Sequence, residues 1–261
     1  MERHSQAAVM DLPSPLEAAD LTLELGALLL QSGASTGRVV KVMREVLSAL
    51  GLPHAGAVAT PELMTVVAGD GSLPHPVACV TPRISWNITR LARLEQLAGK
   101  ALQGAGNHRQ LREELEQIRT LPSPYKRWVS IVAYVCVGTF LSRLLMADWP
   151  GTAVAAVACG VGQSVRSSIA GKLNLGLTTL VTALVAAVVG SLGIRLHLSH
   201  TPVATVSASV ALLVPGLWLV TGGLDLIGGR QIRFGLLRLT VAFLIFFTVV
   251  VGIGLAQVII P

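Results

Sequence analysis

Residues 212–230, LLVPGLWLVTGGLDLIGGR, decide what kind of fold this chain has. The stretch opens inside an apolar run suited to crossing a bilayer, then meets Pro215-Gly216, then Gly222-Gly223. It carries the acid Asp225 before closing on Gly228-Gly229-Arg230. Proline removes a backbone donor and paired glycines loosen the helical ladder, so both pairs predict interruptions of a helix near membrane depth. Unpaired backbone groups are costly in lipid, so an interrupted segment must pack on protein or line a wet cavity. Transporters build substrate sites in this way. The plainer alternative is a kinked helix running into a glycine-rich loop with Asp225 solvated. The usual functional role of ionisable groups at membrane depth favours the first.

Working outward, the charge divides the chain in two. Residues 1–127 hold 13 of the 20 Lys and Arg and 12 of the 14 Asp and Glu. The remainder holds seven basic residues and only the acids Asp148 and Asp225. A polar half is thus followed by a membrane half. The first half is nearly balanced, and the basic excess sits among apolar segments, where it marks cytoplasmic loops. This argues against nucleic-acid binding. Cys79, Cys136 and Cys159 show no CxxC or Cys/His spacing, so neither a disulfide framework nor a metal site is implied, and no cofactor motif is present. The N-terminus lacks an apolar run of signal-peptide type, so the first half is not expected to be secreted.

The polar half is expected to be an α+β domain over 16–127, after a disordered lead-in over 1–15. Pro13-Ser14-Pro15 is a helix start, and Leu16–Gln31 carries Leu21, Leu25, Leu28 and Leu29 on one face. Ser32 to Thr36 ends that helix and caps a second one reaching about Leu50. Ala57–Thr60, Leu63–Ala68 and Val77–Val80 are short β-prone runs between turn residues. Ile84–Gln103 and Asn107–Thr120 return to helical spacing. The half contains no nucleophile–base pair, P-loop, GxGxxG or HExxH, so it is not read as an enzyme. His54, His75 and His108 are scattered near turns.

Pro122, Pro124, Lys126 and Arg127 mark the boundary. Five apolar segments follow over 128–261, near Trp128–Met146, Thr152–Ala170, Leu173–Ile194, Val203–Val220 and Leu236–Ile260. Each has roughly the length that spans a hydrocarbon core of about 30 Å. Basic residues concentrate at the boundary and in the links after the second and fourth segments, whereas the alternate links hold Arg195 and Asp148. The positive-inside rule then puts the N-terminal domain in the cytoplasm and Pro261 outside.

Small residues dominate the spans at small-xxx-small spacing, notably Ala153–Gly162 and Ala183–Gly193. They pack either within one bundle or against another subunit. Gln163, Ser164, Arg166, Ser167 and Ser168 form a polar patch at the inner end of the second span. Arg166 either counters an anionic substrate or pairs with Asp225, or serves only as a positive-inside anchor. Asn174, Thr178, Thr179 and Thr182 lie on one side of the third span, and bond either a solute or neighbouring helices.

Four stretches carry a family resemblance: LLLQSGASTGRVVKVMREVLSALGL at 28–52, TPRISWNITRLARLEQL at 81–97, LPSPYKRW at 121–128, and the opening stretch at 212–230. Through them the chain resembles the bacterial threonine/serine exporter family, particularly its shorter members. The resemblance implies a cytoplasmic domain joined to five transmembrane helices in the inner membrane. It implies export of a small hydrophilic metabolite by a proton-driven secondary transporter, with threonine, serine or a dicarboxylate such as succinate as the solute. It also implies a partner, either a separate small five-helix subunit or a second copy. Pro215, Gly216 and Asp225 match the family's break and acid, and Gly33, Thr36 and Arg38 match its cytoplasmic Gly-Ala-x-Thr-x-Arg pattern. Ser35 stands where an acid is common and Gly37 where an aromatic is. Thr221 replaces a usual Asn, Leu224 a usual Arg, and Arg230 a usual acid; the lost acids and the gained Arg230 tilt the expectation slightly towards an anionic substrate.

Asp225 is the expected coupling group, with Pro215-Gly216 opening the helix and Arg166, Gln163, Asn174 and Thr221 assisting the substrate. The alternatives are a regulatory or scaffold subunit without a pore of its own, and a tethered enzyme, for which no residues speak.

Overall fold

The computed structural model describes residues 13–68, 75–104, 108–121, 125–229 and 231–260. Most of the expected lead-in, the Pro122 and Pro124 boundary, Arg230 and Pro261 lie outside the described residues. The chain divides into two compact units, Met1–Pro124 with Thr221–Leu237, and Tyr125–Val220 with Arg238–Pro261.

In the first unit, α1 (Pro15–Ser32) opens with a reciprocal cap. The Ser14 side chain accepts from the Glu17 N–H, while the Glu17 carboxylate accepts from the Ser14 N–H at 2.9 Å. Two orphan donors are satisfied at once, and Pro15 supplies a preset φ. The helix stops at Gly33, whose φ of +106° is left-handed. A Cβ there would lie 2.3 Å from the Trp86 ring, so conformation and space both require glycine. α2 (Thr36–Ala49) follows, capped by Ser35.

Three antiparallel strands, β1 (Gly56–Ala59), β2 (Leu63–Ala68) and β3 (His75–Val80), pair in sequence order, with Ala57 opposite Val66 and Met64 opposite Cys79. On β2 the buried residues Met64, Val66 and Ala68 alternate with more exposed ones, the period of a half-buried sheet. The helix predicted from Ile84 begins instead as α3 (Ile88–Leu102). Ser85 and Asn87 donate their N–H groups to Gln31 O and Ser32 O, which keeps this segment out of the helix until the Asn87 side chain caps it. α4 (His108–Arg119) turns Leu111, Leu115 and Ile118 inward.

Ion pairs Arg112–Asp20, Arg119–Glu24 and Lys100–Glu114 link these helices at the surface, each worth up to about 1 kcal/mol. The core does more. Leu29, Leu30, Met43, Leu47, Met64, Leu94 and Leu115 are fully enclosed, and burying one such side chain is worth about 1.5–3 kcal/mol. Phe234, from the segment Thr221–Leu237, packs in this same core.

The remaining helices are α5 (Arg127–Leu144), α6 (Trp149–Ile169), α7 (Leu175–Arg195), α8 (Pro202–Ala211), α9 (Gly216–Ile227) and α10 (Ile232–Ile259). Among the described residues α5, α7 and α10 are long and apolar enough to cross a membrane. The pair α8 and α9, bent by 67°, adds a fourth candidate if it is one broken span. α6 has 21 residues but does not meet the same test, because Gly, Ser and Thr together with Gln163 and Arg166 dilute its apolar content.

The expected interruption at Pro215 is present, since α8 stops at Ala211 and α9 restarts at Gly216. The second expected break, at Gly222-Gly223, is not: α9 runs through it to Ile227. Glycine weakens a helix by about 1 kcal/mol but keeps its donor, so neighbours can hold it in place. The close approach here is made by Gly235, where a Cβ would lie 2.7 Å from Leu226 Cγ and 3.0 Å from Gly222 O, whereas one on Gly223 would meet nothing within 4 Å.

In the second unit the small-residue stripes pack internally. A Cβ on Gly162 would meet Ala186 at 3.2 Å, and one on Gly252 would meet the Ala183 Cβ at 2.8 Å and the Leu184 backbone nitrogen at 3.1 Å. Ala183, Ala186, Ala187, Val210, Val249 and Ala256 form the buried cluster around this contact. Gly252→Val is therefore expected to force α10 away from α7 and cost about 1–3 kcal/mol, read as a lower melting temperature of the detergent-solubilised protein.

Candidate functional site

The first turn of α2 has three backbone donors without helical acceptors: Thr36, Gly37 and Arg38. Ser35 Oγ accepts from Arg38 N at 3.4 Å. The other two are met by one residue 189 positions away, Asp225 near the end of α9. Its Oδ1 accepts from Thr36 N at 2.9 Å and Gly37 N at 3.4 Å, while Oδ2 accepts from the Thr36 hydroxyl at 3.2 Å. Thr36 is wholly buried and Asp225 is 2% exposed, so the solvated alternative for this acid does not hold. A carboxylate at a helix N-terminus also meets the positive end of the macrodipole.

The neighbouring residues belong to the same arrangement. Gly33 seats the loop against Trp86, and Arg38 reaches across to Glu95 on α3 through Nε at 3.0 Å and a second, shorter bond. Thr221, one turn before Asp225 on α9, is buried. Pro215 is buried at the break and its carbonyl accepts from Leu219 N at 3.1 Å, opening α9, while Gly216 is the first helical residue and exposed. Gly37 has open space around it and borders a groove of about 540 Å³ together with Lys41, Arg44, Glu45, Ala57 and Gln231.

The other expected site residues, Gln163, Arg166 and Asn174, lie in the second unit. Gln163 Nε2 donates to Ser130 Oγ at 2.8 Å, joining α6 to α5, and its buried Oε1 has no partner among the described residues. Arg166 occupies the last turn of α6, where a cation complements the helix C-terminus. The cation that meets the serine patch is Arg127, which donates to Ser167 Oγ at 2.7 Å, to Ser164 O at 2.9 Å and to Ser168. Asn174 caps α7 by accepting from Leu177 N at 2.8 Å. Thr179 and Thr182 donate to carbonyls of their own helix at 2.8 and 2.7 Å, so these hydroxyls act locally.

Sequence reasoning missed Trp86, Glu95, Arg127 and, in the second unit, Asp148. The Asp148 carboxylate accepts from Gly151 N at 2.8 Å, His200 N at 2.8 Å, Ser199 Oγ at 2.6 Å and Thr201 Oγ1 at 3.1 Å. It fastens the start of α6 to the link before α8. These donors hold its carboxyl well below the usual range, the His200 N–H and the Ser199 hydroxyl contributing most. The Asp-Trp-Pro spelling of a helix N-cap was available in the sequence; the donors 51 to 53 residues away were not.

Three helices long and apolar enough to cross a membrane, with one bent pair, fit an α-helical membrane protein. A profile of the family described as "Putative threonine/serine exporter" matches residues 20–260, and the chain belongs to that family. It is 25% identical over 245 residues to the "Probable threonine/serine exporter" of Mycobacterium tuberculosis, an alignment covering 90% of this chain and 44% of that protein. It is 24% identical over 240 residues to the "Probable succinate transporter subunit YjjP" of Klebsiella aerogenes, covering 91% and 92%. The "Threonine/serine exporter" of Corynebacterium glutamicum is 24% identical over 243 residues, covering 84% and 49%. The chain thus spans less than half the length of two of these relatives and nearly all of the third. No solved structure matches it.

Removing the Asp225 carboxylate leaves two helix-terminal donors without their acceptor. Asp225→Ala is expected to cost about 1–3 kcal/mol, and Asp225→Asn less, since its amide oxygen can still accept. Chemical denaturation followed by tryptophan fluorescence measures both. Asp148 makes a second expectation with a definite sign. Its folded carboxyl titrates below the ordinary value of 3.8, so its stabilisation is fully present above that pH and is lost as pH falls through the lowered value. Asp148→Asn should therefore lower the melting temperature at pH 7, and the gap from wild type should narrow under acid conditions.

Proposed function

We propose that this chain is a proton-coupled exporter subunit for a small hydrophilic metabolite, of the threonine/serine or dicarboxylate kind. Family membership supports the exporter role, and the names of the relatives supply both substrate classes. The observation that carries the mechanism is Asp225, enclosed on a segment beyond a proline break and bonded to the first turn of α2. A carboxylate that gains a proton becomes a poorer acceptor for two backbone N–H groups. Proton uptake at Asp225 would then release the first turn of α2, converting a chemical step into a structural one.

In the same proposal the second half crosses the inner membrane five times, α6 and the bent α8–α9 pair each counting as one span. Residues 16–127 lie in the cytoplasm and the C-terminus outside. The lipid bilayer surrounds the spans, and a separate small five-helix subunit or a second copy completes the pathway. The relative named as a transporter subunit, aligned over 92% of its length, supports the two-component form. Arg166, Gln163 and Thr221 are proposed to assist the solute, with Pro215 and Gly216 as the flexible joint.

Efflux of labelled threonine, serine and succinate from cells making this chain, with and without a co-expressed five-helix subunit, tests the proposal. Export that requires the partner is the expected result, and Asp225→Asn should abolish it while membrane insertion persists. Unchanged export by that variant would remove Asp225 from the coupling step. A partner that exports equally well without this chain would assign the chain a regulatory or scaffold role.

A further inference from the structure

Within the second unit the two ends of α5, α6 and α7 are charged very differently. Where α5 starts, α6 stops and α7 follows, the chain carries Lys126, Arg127, Arg166 and Lys172 and no acid. The opposite ends carry Arg143, Arg195 and the acid Asp148. α6 has 21 residues, so at about 1.5 Å per residue Asp148 stands about 30 Å from the basic end. That is well beyond a Debye length of about 8–10 Å, and Asp148 neutralises nothing there. Among the described residues none of the four cations at the basic end makes an ion pair.

Arg127 is the fixed point of this cluster. Its Nε donates to Ser167 Oγ at 2.7 Å, and its Nη2 donates to Ser164 O at 2.9 Å and to Ser168 Oγ. All three acceptors are neutral, and Nη1 takes part in none of these bonds. The guanidinium is thus held on α6 with its charge intact. Lys126 precedes it, Lys172 follows in the turn that ends α6, and both are exposed. Tyr125 and Trp128, 67% and 62% exposed, flank the two basic residues, as amphipathic aromatics do at headgroup depth. From Trp128 an exposed stripe then runs along α5 at four-residue intervals through Val132, Cys136, Phe140 and Leu144. A soluble anion would use the cations and leave the stripe without a role. An apolar partner helix would use the stripe and leave the cations unneutralised. One molecule with an anionic head and an apolar tail uses both.

We propose that the seam of α5 and α6 is a binding site for an anionic phospholipid of the cytoplasmic leaflet. Arg127 Nη1, Lys126 and Lys172 take the headgroup phosphate, and an acyl chain lies along Val132 and Phe140. Guanidinium and phosphate make strong charge-assisted bonds, and basic clusters at cytoplasmic helix ends bind such headgroups. Because Arg127 already joins α5 to α6, the bound phosphate fastens that pair. The inference rests on the orientation in the exporter proposal, in which this end faces the cytoplasm.

The test is the melting temperature of the full chain in phosphatidylcholine nanodiscs as phosphatidylglycerol is added stepwise, with native mass spectrometry of the lipid retained. The expected result is a saturating rise for the wild type, with phosphatidylglycerol retained in preference to phosphatidylcholine. A basic residue near an anionic surface is worth about 1 kcal/mol, or about fivefold in binding. Lys172→Gln should therefore raise the phosphatidylglycerol fraction needed for half the rise about fivefold. Arg127→Gln should raise it at least as much, and Arg127→Lys less. Arg127→Gln also removes bonds between helices, whereas the Lys172 side chain has no bonding partner among the described residues, so Lys172→Gln keeps the test independent of folding. No rise for the wild type, or a rise unchanged in Lys172→Gln and Arg127→Gln, overturns the proposal. So does an equal rise from inorganic phosphate in phosphatidylcholine nanodiscs, which would assign the cations to a soluble anion. Efflux from cells is a separate readout. Export without a lipid response sinks this site alone, whereas a lipid response in a wild type that exports under no condition sinks the exporter assignment alone.

Discussion

The contact on which the first unit depends is the Asp225 carboxylate closing the N-terminus of α2. A helix start must find acceptors for its first N–H groups, and one that is buried, as Thr36 is, cannot take them from water. Here Ser35 meets one, and Asp225 meets the two preceding it. The same carboxylate takes the Thr36 hydroxyl, so a single acid meets three donors, two of them from the fully buried Thr36. Around it the Gly33 turn rests on Trp86, Arg38 holds α3 through Glu95, and Phe234 joins the buried core that includes Leu29 and Met43. Three separate stretches of sequence thus converge on one helix start.

The second unit solves a different problem with different means. It has little charge to work with, so close approach replaces ion pairing. Gly162 and Gly252 remove the side chains that would hold α6 and α10 away from α7, and Ala183, Ala186 and Ala187 fill what remains. In lipid this is the available source of cohesion, since tails and leucines are equally apolar and only packing and hydrogen bonds discriminate. The charged and capping contacts that stand out sit at helix ends. Arg127 meets the serine patch of α6, Asp148 collects four donors, and Asn174 caps α7.

A chain built this way combines a strongly held core with a joint. Pro215 cannot donate, so α8 and α9 meet at 67° rather than continuing in line. Past the joint, the glycine pair that lowers helix propensity is kept helical by its neighbours, with Gly235 passing close to Gly222. The bend is local, and the helix beyond it carries Asp225 to its bonds with Thr36.

The amino-acid sequence by itself determined the helices of the first unit to within a few residues, the three strands, the apolar segments of the second half, and the break at Pro215. These follow from periodicity, caps and proline geometry, which act over a turn or two and are written in consecutive residues. It also marked Gly33, Thr36, Arg38 and Asp225 as a set, but only as members of a pattern, without saying that they touch. Tertiary structure decided that Asp225 is the acceptor for α2, that Gly222-Gly223 stays helical, that residues 81–87 stay outside the helix, and that Arg127 rather than Arg166 meets the serines. Each of those outcomes depends on which donor, acceptor or surface arrives from a distant part of the chain. Local propensities differ by about 1 kcal/mol per residue, while an unmet buried donor costs about 1–3 kcal/mol. The arriving partner therefore wins, and its identity is legible only once the chain has folded.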